Sequence, residues 1–187
     1  MAAGALEDAL SQLRVPHMLI GGLAVIGHGL ARATGDVDAT FSLGDHAMET
    51  VLAALAEHGI APRDPSAIAF ALRHHLLKLR HLASETPIDL SLAWLPFEEE
   101  AMARAKPLTF GDIPVLTVTV DDLIVYKAVA WRDRDNDDIG RLAILHGDRL
   151  DLQRIRHWVG QYAEVLEAPE RLPELETLLR RARGKRD

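Results

Sequence analysis

Residues 19–41 read LIGGLAVIGHGLARATGDVDATF, and the order of features inside this stretch decides the fold. His17-Met18-Leu19-Ile20 is a short run closed by Gly21-Gly22, which reads as a buried strand entering a tight turn. Residues 23–31 then suit a short helix, and Asp36 to Phe41 alternates like a strand. A strand that ends in two glycines and opens a helix lets the backbone approach a ligand closely. It also aims free N–H groups at an anion such as a triphosphate. On the strand that follows, residues two apart share a face, so Asp36 and Asp38 project together while Val37 turns to the core. Two carboxylates on one face repel each other unless a cation lies between them. Mg²⁺, which takes a few carboxylates together with phosphate oxygens, suits that place.

Outward from this stretch, residues 4–14 have helical spacing and stop before Val15-Pro16, and residues 45–58 form a second helix ended by Gly59. Residues 75–82 and 88–94 read as a hairpin around the turn at 83–87. Within its second strand Asp89 is the lone acid in Ile88-Asp89-Leu90-Ser91-Leu92. Set beside the Asp36–Asp38 strand, it completes a three-carboxylate set of the kind that holds metal for an in-line displacement at phosphorus. A short helix at 97–105 and two strand-like runs within 108–118, around Gly111-Asp112, follow.

From Thr119 the character changes. Thr-Val-Asp-Asp heads an apolar run as a helix start, giving helices at about 121–131, 137–146, 151–167 and 170–183. The expected class is therefore α/β (α+β): a small mixed sheet flanked by helices over 1–118, then a helical part over 119–187, possible also as one continuous domain.

Composition narrows the function classes. The chain has 187 residues and 48% hydrophobic content, enough for a core without staples, and no cysteine, which excludes disulfides and thiol nucleophiles together. No apolar run suggests a membrane span, and the first residues do not resemble a secretory signal, so a cytoplasmic location is expected. A net charge of −7 disfavours a broad duplex-binding face. The neighbours His74 and His75 are read as opposite faces of a strand, with His81 on the hairpin surface or a substrate groove. His28 follows the glycine turn and is a minor candidate. Trp131 and Trp158 read as helix-packing anchors, and the basic tail at 180–186 as a fraying, solvated helix end. Nothing resembles a nucleophile elbow.

The 19–41 segment resembles the signature of the DNA polymerase β-like nucleotidyltransferase superfamily, in which a Gly-Gly or Gly-Ser turn precedes a two-acid strand by about one helix. With Ala24 two residues past the turn and Arg32-x-Thr34 before the acids, it is most similar to the AbiEii-type toxin-associated nucleotidyltransferases. The stretch from Asp121 through Lys127 and Arg132 to Asp138 also resembles that group.

The resemblance implies that Gly21 and Gly22 line a phosphate loop, and that Asp36, Asp38 and Asp89 are catalytic metal ligands. Asp89 would also be the base toward an acceptor hydroxyl. Arg32 and Thr34 would lie near the nucleotide, and Lys127 would neutralise phosphate charge. Asp135 or Asp138 would supply a downstream acid, although Asp133 and Asp137 crowd the same run and the sequence does not separate them. Gly22 stands where the superfamily often has Ser, which removes a hydroxyl contact but keeps the backbone N–H.

The implied reaction is Mg²⁺- or Mn²⁺-dependent transfer of a nucleoside monophosphate from an NTP to an acceptor hydroxyl. The acceptor would be RNA such as a tRNA 3′ end, or a protein, in a toxin with a cognate antitoxin partner. Two alternatives stand beside it: an antibiotic-modifying nucleotidyltransferase, or a non-catalytic nucleotide- or partner-binding module of the same fold.

Overall fold

The computed structural model describes residues 1–184; the end of the basic tail, at 185–187, lies outside the described residues. The chain forms two compact units, residues 1–27 with 31–118, and residues 28–30 with those from 119 onward.

The first unit begins with α1 (Ala2–Gln12), β1 (His17–Ile20), α2 (Gly21–Gly27), β2 (Val37–Phe41) and α3 (Met48–Glu57). It continues with β3 (Ile60–Pro62), α4 (Ala67–His74), β4 (Leu76–His81), β5 (Thr86–Leu92), α5 (Pro96–Arg104), β6 (Lys106–Phe110) and β7 (Ile113–Thr117). Among the described residues the strands form one seven-stranded mixed sheet in the order β3-β4-β5-β2-β1-β7-β6. The β2–β5 and β1–β7 pairs are parallel and the others antiparallel.

Alternation sorts the two faces of the sheet. Val37, Ala39 and Phe41 of β2, Leu77 and Leu79 of β4, and Ile88 and Leu90 of β5 are buried in the main core with Leu6 and Leu10 of α1 and Val51 and Leu55 of α3. Their neighbours Asp38, Lys78 and Asp89 therefore share the opposite, more open face.

The second unit holds α6 (Val120–Ala130), α7 (Asp133–His146), α8 (Leu152–Val165) and α9 (Arg171–Arg183). Thr119 caps α6 by accepting the Asp122 N–H at 3.3 Å. The Asp122 carboxylate in turn accepts from Arg154 of α8 at 2.6 Å, and Ile139, Leu142, Ile155 and Val159 are buried in this unit.

Several elements depart from what periodicity implied. The segment 60–73 carries no expected element, yet it forms β3 and most of α4. A three-residue strand is too short to show alternation, and its pairing with β4 is what makes it a strand. His74 and His75 are not strand neighbours: His74 ends α4, and His75 caps it in the left-handed region at φ 53°. The hairpin turn is tighter than expected, because Thr86 and Pro87 already pair with His81 and Arg80. The helix expected from about 137 starts at Asp133, where the Asp135 carboxylate accepts the Arg132 N–H at 3.2 Å.

Candidate functional site

Three central strands carry the candidate residues of the first unit. Ile20, the last residue of β1, lies opposite Asp38 on β2, and Asp38 lies beside Asp89 on β5. The strand that leads into the glycine turn, the strand of Asp38 and the strand of Asp89 are thus consecutive in one sheet. Asp36 stands just before β2, exposed, and its carboxylate is held by the Thr34 hydroxyl at 2.8 Å.

The glycines have a steric role that the spacing did not reveal. Gly21 adopts φ +64°, and a Cβ built there would come within 2.6 Å of the Asp38 Cβ. A Cβ on Gly22 would lie 3.0 Å from the Thr34 Cβ and 3.4 Å from the Arg32 guanidinium carbon. The turn is bare so that Asp38, Thr34 and Arg32 can close over it. Of the free amides expected to face an anion, the Gly22 N–H is hydrogen-bonded to the Asp38 carboxylate.

Asp38 is the electrostatic focus. Burial pushes its pKa up, and so do the nearby charges of Asp36 and Asp89; the Gly22 N–H and the Arg32 guanidinium oppose them without prevailing. A carboxylate in that setting is costly to ionise, first because it is buried and then because other acids stand near it. Asp89 has its own counter-ion: Arg63, just past β3, donates to its carboxylate. With Asp36 tied to Thr34 and Asp89 to Arg63, no three His, Asp or Glu side chains are gathered as a metal cluster among the described residues.

The second-unit candidates form a separate group. Lys127 is buried on α6, and its ammonium donates to Asp138 at 2.7 Å and to Asp135 at 3.2 Å, both on α7. These are the two of the four crowded acids that turn inward; Asp133 and Asp137 are exposed. His146, also on α7, has its Nε2 3.0 Å from the His28 carbonyl, and their rings meet edge to face. Trp158 is buried as an anchor, and Trp131 caps α6 beneath the Arg171 guanidinium, 4.7 Å from its ring centre.

Sequence reasoning missed Arg63 and Lys78. No motif contains them, and only the sheet register brings them to the acids: Lys78 lies opposite Asp89, and the Arg63 N–H donates to the Lys78 carbonyl at 3.0 Å.

A family model described as "Nucleotidyltransferase of unknown function (DUF6036)" matches residues 5–178. The solution structure of the antibiotic-resistance factor ANT(2'')-Ia is similar, with a TM-score of 0.59 at 15% identity over 90% of this chain and 93% of that one. A crystal structure of ANT(2'')-Ia in complex with adenylyl-2''-tobramycin gives a TM-score of 0.56 at 15% identity, over 87% of this chain and 95% of that one. Both likenesses show the fold. No protein of curated function matches the sequence.

Proposed function

The chain belongs to the DUF6036 family of nucleotidyltransferases, and from that premise we propose that it moves a nucleoside monophosphate from an NTP to an acceptor hydroxyl, releasing pyrophosphate, with Asp36, Asp38 and Asp89 as its catalytic acids. The observation that carries this reading is the column Ile20–Asp38–Asp89, with the glycine turn pressed against the middle acid.

The residues fit a hard divalent cation. The donors are all carboxylate oxygens, and the charges of Asp36 and Asp89 lie near Asp38. Asp36 and Asp38 would hold Mg²⁺ or Mn²⁺, with Asp89 joining once it leaves Arg63; one or two carboxylates plus substrate phosphates are enough for Mg²⁺. When bound, the cation neutralises charge on the transferring phosphoryl group and sharpens the attacking hydroxyl.

The chain's own groups do the rest. Thr34 orients Asp36, the Gly22 N–H orients Asp38, and Arg32 supplies a cation near Asp38 and Gly22 to face the nucleotide. Asp89 accepts the proton of the incoming hydroxyl. Lys127, Asp135 and Asp138 satisfy one another in the second unit, so in this reading they join α6 to α7.

Labelled NTP offered with Mg²⁺ and a total RNA and protein extract tests the proposal. Transfer is expected from the native chain and should fall by about a hundredfold or more in Asp36→Asn and Asp38→Asn. Near-normal transfer by Asp36→Asn would remove the acids from the mechanism. NTP and Mg²⁺ binding with no pyrophosphate release would instead mark a binding module.

A second reading, an antibiotic-modifying enzyme, is favoured by the likeness to ANT(2'')-Ia. An aminoglycoside panel in the same assay separates it. The finer assignment as an AbiEii-type toxin with an antitoxin partner rests on the residue pattern of 19–41 and is tested by whether expression arrests growth.

A further inference from the structure

The open face of the sheet does not end at Asp89. Along one cross-strand row the register runs Ile20, Asp38, Asp89, Lys78, and Arg63 continues it through its hydrogen bond to the Lys78 carbonyl. One step along β4, Arg80 lies opposite Pro87 and shares the face of Lys78. The row therefore changes sign: acids over β2 and β5, cations over β4 and the end of β3.

Lys78 and Arg80 are exposed, and among the described residues each has a weak surface partner. The Lys78 ammonium lies 5.2 Å from the centre of the Phe70 ring, and Arg80 reaches Glu85 at 2.7 Å, a pair that is itself exposed. Phe70 and His74 of α4 stand side by side there, ring centres 4.4 Å apart at 38°.

Direction gives the row its meaning. An in-line displacement puts the leaving phosphates and the attacking hydroxyl on opposite sides of the transferred phosphorus. If the leaving side is the glycine turn beside β1, the acceptor arrives over β5 and β4. There it meets Arg63, Lys78 and Arg80. Net charge −7 does not decide this, because charges more than about 10 Å away are screened while these three are adjacent.

We infer that Arg63, Lys78 and Arg80, with the Phe70–His74 ring pair, form the acceptor site and select a single-stranded nucleic-acid end over a cationic small molecule. The cations take backbone phosphates, and the ring pair offers a base a stacking surface. Three cations on an acidic protein suit a short strand and not a duplex. Arg63 couples the two halves of the site: a phosphate arriving from the acceptor competes for its guanidinium and frees Asp89 beside the incoming hydroxyl. This rests on the nucleotidyl-transfer reading for the position of the leaving group.

The test is fluorescence anisotropy of a 5′-labelled single-stranded RNA oligonucleotide of mixed sequence against the full chain, across a salt series, without nucleotide. Binding is expected to weaken with salt at a log–log slope of about −2 for three phosphate contacts. In Lys78→Ala/Arg80→Ala the affinity should fall about tenfold and the slope to about −0.7, while Lys78→Arg/Arg80→Lys should restore both. Unchanged thermal unfolding of the alanine variant confirms that it is folded.

Tobramycin bound in place of RNA, polyglutamate displacing the RNA at equal charge concentration, or RNA binding indifferent to the alanine pair each overturns the inference. Labelled NTP binding with Mg²⁺, measured on the same preparation, separates the two claims. NTP bound without RNA defeats the acceptor site alone, and RNA bound without NTP defeats the reading of the acids alone.

Discussion

Asp38 shows how one side chain can cost stability and still define a site. Burial opposes its charge, and the charges of Asp36, two residues before it, and of Asp89, its strand partner, add to the cost. Replacement by Asn keeps the shape and the Gly22 hydrogen-bond acceptor while removing the charge. Asp38→Asn should therefore unfold at the same or a slightly higher temperature than the native chain while losing transfer, a pairing that calorimetry and the labelled-NTP assay read together. Gly21 sets the opposite case. Alanine there would combine a left-handed backbone with a clash against Asp38, so Gly21→Ala should lose about 2 kcal/mol in urea unfolding and disorder the acid it presses on. At this scale the sequence was informative: Gly21, Gly22, Asp36 and Asp38 announce themselves by type and spacing. The reason for the glycines, room for Asp38, Thr34 and Arg32, became visible only once those side chains were placed.

Among the elements, α1 is tied to the sheet by one half-buried carboxylate. Glu7 accepts the Leu116 N–H of β7 at 2.9 Å and faces His17 of β1 at 3.3 Å, whose Nδ1–H donates to the Val15 carbonyl at 2.8 Å. Burial opposes charge on both groups. For His17, the hydrogen bond and charge of Glu7 with the Val15 carbonyl outweigh it and raise the pKa above the ordinary 6.5. For Glu7, His17 and the Leu116 N–H outweigh it and lower the pKa below the ordinary 4.5. A raised histidine stabilises fully below 6.5 and loses its contribution as pH climbs through the folded value; a lowered glutamate stabilises above 4.5 and loses its contribution as pH drops through its own. The pair should therefore help most between those limits, and Glu7→Gln should flatten the dependence of melting temperature on pH on both flanks. An unchanged pH profile in that variant would show that the pair carries no linkage. Elements themselves were legible where they were long or strongly alternating, as in β2, β5 and α6. They went unread at β3 and α4: three residues of strand are too short to show alternation, and α4 is a two-turn helix whose buried positions are the small residues Ala67 and Ala71.

For the molecule as a whole, ligand binding to the acids should appear as stability. If Mg²⁺–NTP occupies the site only in the folded chain, saturation a hundredfold above Kd adds about 2.7 kcal/mol, or roughly 5–10 °C in Tm for a chain of this size. Asp36→Asn should abolish that shift, and EDTA should reverse it in the native protein. A full shift retained by the variant would place the nucleotide elsewhere. Residues 19–41 by themselves determined the strand, glycine turn and paired acids, because a local pattern needs only chain geometry to be read. The change of character at Thr119 was likewise legible, as helix-capping chemistry followed by an apolar run. Tertiary structure alone decided that Asp89 stands beside Asp38, that Arg63 holds it, that Lys78 continues the row, and that Asp135 and Asp138 are the acids that close on Lys127. Each of those is a meeting of residues far apart along the chain or a choice between neighbouring acids. Strand register and helix packing settle such matters by which apolar faces must be buried together, and no single segment carries that information.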